Sequence, residues 1–242
     1  MNLKVLGGPL ELESSEFRQL NNYCEKERLN LTLEWIDGQY WLHSDDEKEK
    51  PIGIQIDREL KRHEEFFKRS SLVKELLARA VGVKSGIRPK ILDLTGGLLG
   101  DTLLILSFGC EVTTLERHPI VAFLIQSALK NASHPALSRL SFVNSDAMSY
   151  LQNNTPPEVV FFDPMFEDAN ERALPKKEMR IFRNYVGADQ DALSVFKFIR
   201  TQNPKRLVVK RPRLSAELGE APQIKFEGKA TRYDVYFSTQ MS

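Results

Sequence analysis

From about residue 85 onward, short apolar runs alternate with segments of helical periodicity, and this alternation constrains the fold more than any other feature of the chain. The runs are ILDLT, EVTTLE, LSFVNSD, VVFFD and RLVVKRP. Between them, GDTLLILSFG and HPIVAFLIQSALKNA have the length and pattern of helices. The second places Pro119 in its first turn, where a missing backbone donor costs nothing. Such alternation predicts a doubly wound α/β sheet. The run Val159–Phe162 shows no polar alternation, as a central strand covered on both faces requires. It stops at Asp163-Pro164, the strand end where open α/β sheets carry their chemistry. The tail QIKFEGKATRYDVYF reads as two strands turning at Gly228, so the sheet is expected to end in an antiparallel hairpin.

Residues 1–60 follow another pattern. LNLTLEWIDGQYWLH alternates apolar residues on either side of Asp37-Gly38, a hairpin signal. The charged SDDEKEK reads as a solvated turn before a short third strand, PIGIQID. From Arg58 to Val83 the apolar positions Leu60, Phe66, Phe67, Leu72, Leu76, Leu77 and Ala80 recur at helical spacing, with Gly82 near a helix end. The expected organisation is a small β-rich subdomain over 1–60, a linking helix over 61–84 and the α/β domain over 85–242. A length of 242 residues, 41% hydrophobic, suits one substantial core with a small appendage. Tyr23, Trp35, Tyr40 and Trp41 are read as packing a small core more readily than as stacking on a nucleic acid.

The charge balance, 34 basic against 33 acidic side chains, carries no global sign of a polyanionic partner. The N-terminal MNLKVLGGPLELESSEF lacks the apolar segment of a signal peptide and no later run reaches membrane-spanning length. A soluble, cytoplasmic protein without a membrane partner is therefore expected. Cys24 and Cys110 form no CxxC and the histidines show no ligand spacing, so neither a disulfide framework nor a metal site is expected.

The first α/β strand ends in DLTGGLLGD, Asp93 to Asp101, a glycine-rich turn opening a helix. Glycine lets backbone approach a ligand, and a helix start offers unpaired donors. Glu116 lies twenty residues after Gly96, at the end of the next strand, where a carboxylate grips ribose hydroxyls. A nicotinamide dehydrogenase is the competing reading, but glycines at 96, 97 and 100 do not make GxGxxG. Asp101 in the first helical turn would also repel a pyrophosphate. S-adenosylmethionine has no phosphate, and its ammonium group tolerates Asp93 or Asp101, so the turn points to a methyl donor. Asp146, after the third strand, is placed to accept a hydrogen bond from an adenine amine. A glycine-rich turn with a downstream acid is common; Asp163-Pro164-Met165-Phe166 gives it weight.

Together DPMF, LPKKEMRIF, VVKRP and RYDVY resemble, in that order, the RsmJ family of S-adenosylmethionine-dependent methyltransferases, over about residues 72 to 237. Members modify the 2-amino group of one guanosine in 16S ribosomal RNA. The resemblance implies a Rossmann-like class I methyltransferase sheet, and donor contacts at Gly100, Asp101, Glu116, Arg117, Asp146, Ala147 and Asp163. It implies the small-subunit RNA or the 30S particle as partner. Two departures stand out: the family usually has a glycine and an arginine where this chain has Leu99 and Gly100, and a glycine run with an arginine where it has KRSSLVKE. Asp-Pro-Met-Phe also resembles the Asp/Asn-Pro-Pro-Tyr/Phe loop of enzymes that methylate exocyclic amines, with Met165 in place of the second proline.

Asp163, with the Pro164 carbonyl assisting, is thus expected to accept hydrogen bonds from the acceptor amine, and Phe166 to stack on the extruded base. Lys176, Lys177 and Arg180, with Lys210 and Arg211, are expected to neutralise RNA phosphates. An adenine amine in DNA or RNA, a protein or small amine, and a binding module without turnover remain as alternatives. Whether Arg232 and Asp234 are partners is left open.

Overall fold

A computed structural model describes residues 2–43, 51–165 and 190–239. Five parallel strands, β4 (Lys90–Asp93), β5 (Glu111–Glu116), β6 (Leu140–Asn144), β7 (Val159–Phe162) and β8 (Arg206–Pro212), lie side by side in a seven-stranded sheet. The hairpin β9 (Ile224–Glu227) and β10 (Thr231–Phe237) adds antiparallel strands, giving the order β6-β5-β4-β7-β8-β10-β9. Strand order reverses between β4 and β7, and a crevice opens there beyond the strand carboxyl ends. Apolar contacts explain the unbroken run in β7: Val159 and Phe161 join the cluster on one face, Val160 and Phe162 the cluster on the other.

Helix α4 (Gly100–Ser107) and helix α5 (Pro119–Asn131) follow β4 and β5; α6 (Ala147–Asn153) precedes β7, and α7 (Ala192–Thr201) precedes β8. Helix α5 is apolar nearly all round, with buried residues from Ile120 to Ala128. The cause is a second sheet on its other side. That sheet has the order β1-β2-β3, from β1 (Leu3–Leu6), β2 (Leu31–Ile36) and β3 (Gln39–His43). β3 lies on α5, and the Tyr40 N–H donates to Ser127 Oγ at 2.8 Å.

The Asp37-Gly38 turn has φ of 50° and 85°, the two positive values of a tight hairpin turn. The third strand differs from expectation: it is Leu3–Leu6, paired parallel to β2, with α1 (Ser15–Lys26) as the connection. The expected strand at Pro51–Asp57 contributes only the bridge Leu42↔Ile52 before α2 (Ile56–Arg69) begins. Gly53 leaves room there for the Trp41 indole, which a Cβ would strike. Tyr40 is buried and packs edge-on against Trp35. The hairpin aromatics thus serve packing.

The helix expected from Arg58 to Val83 is interrupted. α2 stops at Ser70, which is extended; a 3-10 turn over Leu72–Lys74 and the short α3 (Leu76–Ala80) follow. Serine side chains compete for backbone hydrogen bonds, and the Ser70-Ser71 pair sits at this break. α2 is tied to the α5–β6 connection by Asp57, whose carboxylate accepts from the backbone N–H groups of Ser133 and His134 at 3.1 Å.

Arg232 and Asp234 are partners. The guanidinium donates from Nε and Nη2 to the two carboxylate oxygens at 2.8 and 3.0 Å, and from Nη1 to the Arg213 and Ser215 carbonyls. Both side chains are almost completely buried. Removing one member strands a charge, so Asp234→Ala is expected to lower the unfolding free energy by about 3 kcal/mol in denaturant titration, and Asp234→Asn by less.

Candidate active site

A cavity of about 280 Å³ lies over the crevice between β4 and β7. Its floor begins at the glycine-rich turn. Gly96 N–H donates to the Leu115 carbonyl at 2.7 Å, and a Cβ at Gly96 would stand 2.8 Å from Thr114 Oγ1, so only glycine lets the turn lie this close to β5. Gly97 has φ of 50° and donates its N–H to Glu116 Oε2 at 2.8 Å. Glu116 Oε1 accepts from His118 N–H at 2.7 Å, which fixes the carboxylate against the cavity. His118 Nε2 in turn meets the Tyr23 hydroxyl of α1 at 3.0 Å.

The departure from the family pattern at Leu99 has a conformational counterpart. Leu99 precedes α4 with φ of 61°, in the left-handed region that suits glycine, yet its side chain is fully buried. The strain, about 1–2 kcal/mol, is of the same size as the gain from burying leucine, about 2 kcal/mol. At Gly100, where the family carries arginine, a Cβ would meet nothing within 4 Å.

Gly96, Gly100, Asp101 and Glu116 line the cavity, as do Arg117, Asp146, Ala147 and Asp163. Asp146 also caps α6, accepting from the Ser149 N–H at 2.9 Å. Asp93 lies deeper than these: it is buried beneath the cavity, accepting from Thr102 Oγ1 at 2.6 Å and Thr95 N–H at 3.0 Å. Burial pushes its carboxyl up to about 7; the bonds from Thr102 and Thr95 oppose the rise, while Asp101 and Asp163 add to it. Pro164 follows Asp163 and is buried.

Lys210 and Arg211, expected at RNA phosphates, are both turned inward. Lys210 Nζ lies 2.5 Å from Asp101 Oδ2 and 2.7 Å from Asp163 Oδ2, inside the cavity wall. Arg211 is buried and donates from Nε and Nη2 to the Ala216 carbonyl. Phe166, Lys176, Lys177 and Arg180 lie outside the described residues. Sequence reading missed Thr95, whose Oγ1 accepts from the Asp163 N–H at 2.8 Å across the switch point, and Asp191, which meets Arg117 Nη1 at 2.7 Å. A threonine two residues beyond a strand-ending aspartate was a signal available for the first; Asp191, from a distant segment, had none.

Among the described residues five carboxylates line the cavity, at Asp101, Glu116, Asp146, Asp163 and Asp191, against the cations Arg117 and Lys210, each of which is engaged with one or two of them. This donor set suits a ligand with excess positive charge and repels a pyrophosphate. Burial pushes Asp163 up to about 6, with Lys210 opposing and Asp101 adding to the rise. Among the described residues no cluster of three or more metal-ligating side chains occurs, and no helix is long and apolar enough to cross a membrane.

A seven-stranded sheet of this order, with a carboxylate-lined, glycine-floored cavity at its switch point, defines a class I methyltransferase with S-adenosylmethionine as its cofactor. A family model described as "Putative SAM-dependent methyltransferase" matches residues 17–238. Two relatives are both called ribosomal RNA small subunit methyltransferase J. The chain is 30% identical to the one from Pseudomonas fluorescens over 98% of its own length and 94% of the relative's. It is 42% identical to the one from Ectopseudomonas mendocina in a match spanning 67% of the chain and 65% of that protein. A crystal structure of a SAM-dependent methyltransferase from Neisseria gonorrhoeae shares the fold, with a TM-score of 0.67 at 24% identity over 99% of this chain and 97% of that one. The chain belongs to the ribosomal RNA small subunit methyltransferase J family.

The raised Asp93 carboxyl has a measurable consequence. The folded protein binds this proton more tightly than the unfolded chain, so its contribution falls as pH rises from about 4 through about 7. Asp93→Asn keeps an acceptor for Thr102 and removes the ionisation. Thermal melts at pH 4.5, 6 and 8 are expected to show a flatter stability profile in the variant, with its advantage over wild type largest at pH 8.

Proposed function

We propose that this enzyme transfers a methyl group to the exocyclic 2-amino group of a guanosine in small-subunit ribosomal RNA. Asp163 carries the reading. It stands at the carboxyl end of β7, in the wall of the donor cavity, with its backbone anchored by Thr95 and its side chain facing Asp101 and Lys210. The RNA class is that in the names of the relatives, ribosomal RNA small subunit methyltransferase J, and the guanine base rests on the family resemblance alone. The cationic segment Lys176, Lys177 and Arg180, only about a dozen residues past Asp163 in the chain, supports a nucleic-acid acceptor.

The lone pair of such an amine is delocalised into the base and is a poor nucleophile. The Asp163 carboxylate and the Pro164 carbonyl accept its two N–H hydrogens, turn the lone pair toward the methyl group and stabilise positive charge growing on nitrogen. When bound, S-adenosylmethionine supplies a methyl group on a sulfonium, so the new N–C bond forms as the C–S pair passes to sulfur. The methylated nitrogen then loses one proton, for which Asp163 is the nearest proposed acceptor, and the proton passes on to solvent. Gly97, Glu116 and Asp146 are the proposed donor cradle, Glu116 for the ribose and Asp146 for the adenine amine. Phe166 is proposed to stack on the flipped base.

Methyl transfer from labelled S-adenosylmethionine to small-subunit particles lacking the modification, followed by nucleoside analysis, tests the reading. Label is expected in guanosine methylated on its 2-amino group; label in adenosine, or none in any RNA, would overturn it. Asp163→Asn is expected to lose about 10²-fold or more in the transfer step while retaining donor binding within about tenfold. A protonated Asp163 accepts hydrogen bonds poorly, so the wild-type rate is expected to climb as pH rises through about 6 and then level off.

A further inference from the structure

Lys210 is the residue whose position departs most from its expected role. Register places it there: Phe162 pairs with Val209 across β7 and β8, so Asp163 and Lys210 are the next residues on neighbouring strands. Asp101 reaches the same point from the first turn of α4. One ammonium group thus bridges two carboxylates that would otherwise repel each other, and all three line the cavity. Tyr233 lies directly across from Lys210 on β10 and is itself buried, while Asp93 lies beneath.

We propose that Lys210 is a positioning residue for methyl transfer, an internal cation that holds one oxygen of Asp163 so that the other is presented to the acceptor amine. The proposal rests on the role given to Asp163 above. Lys210 does not itself take up a proton: burial works against its charge, but Asp163 and Asp101 outweigh burial and push the ammonium further up. It is a fixed cation. Among the described residues, the charged and titratable groups around Asp163 are Lys210 from β8, Asp101 from α4, Asp93 from the end of β4 and Tyr233 from β10. Lys210 favours the ionised form of Asp163, and Asp101 opposes it. With Lys210, Asp101 and Asp163 all charged, the cluster carries one net negative charge. That complements a donor of net charge plus one, whereas the demethylated product is neutral.

The test compares Lys210→Met, Lys210→Arg and Asp101→Asn with wild type, in single-turnover transfer to small-subunit particles at saturating donor and in calorimetric binding of donor and S-adenosylhomocysteine, both across pH 5.5–8.5. Lys210→Met is expected to lose about tenfold or more in rate at pH 7 and to move the acidic limb of the pH profile up by about one unit or more. Lys210→Arg is expected to restore the limb and most of the rate, and Asp101→Asn to move the limb the opposite way. In Lys210→Met, donor affinity is expected to fall about tenfold as pH drops through the limb, with product affinity flat. An unshifted limb in both Lys210→Met and Asp101→Asn, or equal losses in Lys210→Met and Lys210→Arg without a shift, would overturn the proposal. Wild-type protein that binds donor yet methylates no RNA would sink the acceptor reading instead, and the binding series would then decide by itself whether Lys210 governs Asp163.

Discussion

The register among β4, β7 and β8 is the constraint on which the site depends. Asp93 pairs with Phe161, and Phe162 with Val209, so the three strands deliver Asp93, Asp163 and Lys210 to one end of the sheet at staggered depths. A slip of one residue in any of the three would exchange the faces of its side chains. Val160 and Phe161, packed into opposite clusters, prevent that slip. The apolar run of β7 is thus the device that aims the carboxylate following it. Thr95 adds a polar tie across the same gap, its hydroxyl accepting from the Asp163 N–H.

Around that register the molecule concentrates negative charge. Asp93 and Asp163 are both pushed up by burial, and Asp101 adds to the rise of each. Such a cluster opposes folding at neutral pH and is the kind of local cost found where binding requires it. A cation inserted between two of the acids offsets part of that cost, and a cationic ligand offsets more. The same cavity rejects phosphate groups, which separates this site from the dinucleotide sites built on related sheets.

The second sheet acts through helix α5. With apolar residues on nearly every side, α5 is a core element between two sheets rather than a surface helix. It begins beside His118, whose Nε2 meets the Tyr23 hydroxyl of α1 and whose backbone N–H donates to Glu116. One hydrogen-bonded path therefore runs from the N-terminal segment to a carboxylate of the cavity. The shared hydrophobic cluster, from Leu3 to Val235, makes this path part of one core.

The sequence alone determined the elements whose signals are local: the hairpin at Asp37-Gly38, the glycine turn ending β4, Pro119 at the start of α5, the buried β7 and the tail hairpin at Gly228. Each rests on backbone chemistry or on a period of two or 3.6 residues, which a chain displays without knowing its partners. Acids at or after strand ends and in the first turn of α4 were legible for the same reason, and Asp101, Glu116, Asp146 and Asp163 all reach the cavity. Only tertiary structure decided the pairing of Leu3–Leu6 with β2, the depth of Asp93 and the arrival of Asp191. It also turned Lys210 and Arg211 inward. A lysine in a basic stretch reads the same whether it meets water or two carboxylates; the neighbour that settles the matter lies 47 residues away in the chain and one strand away in the sheet.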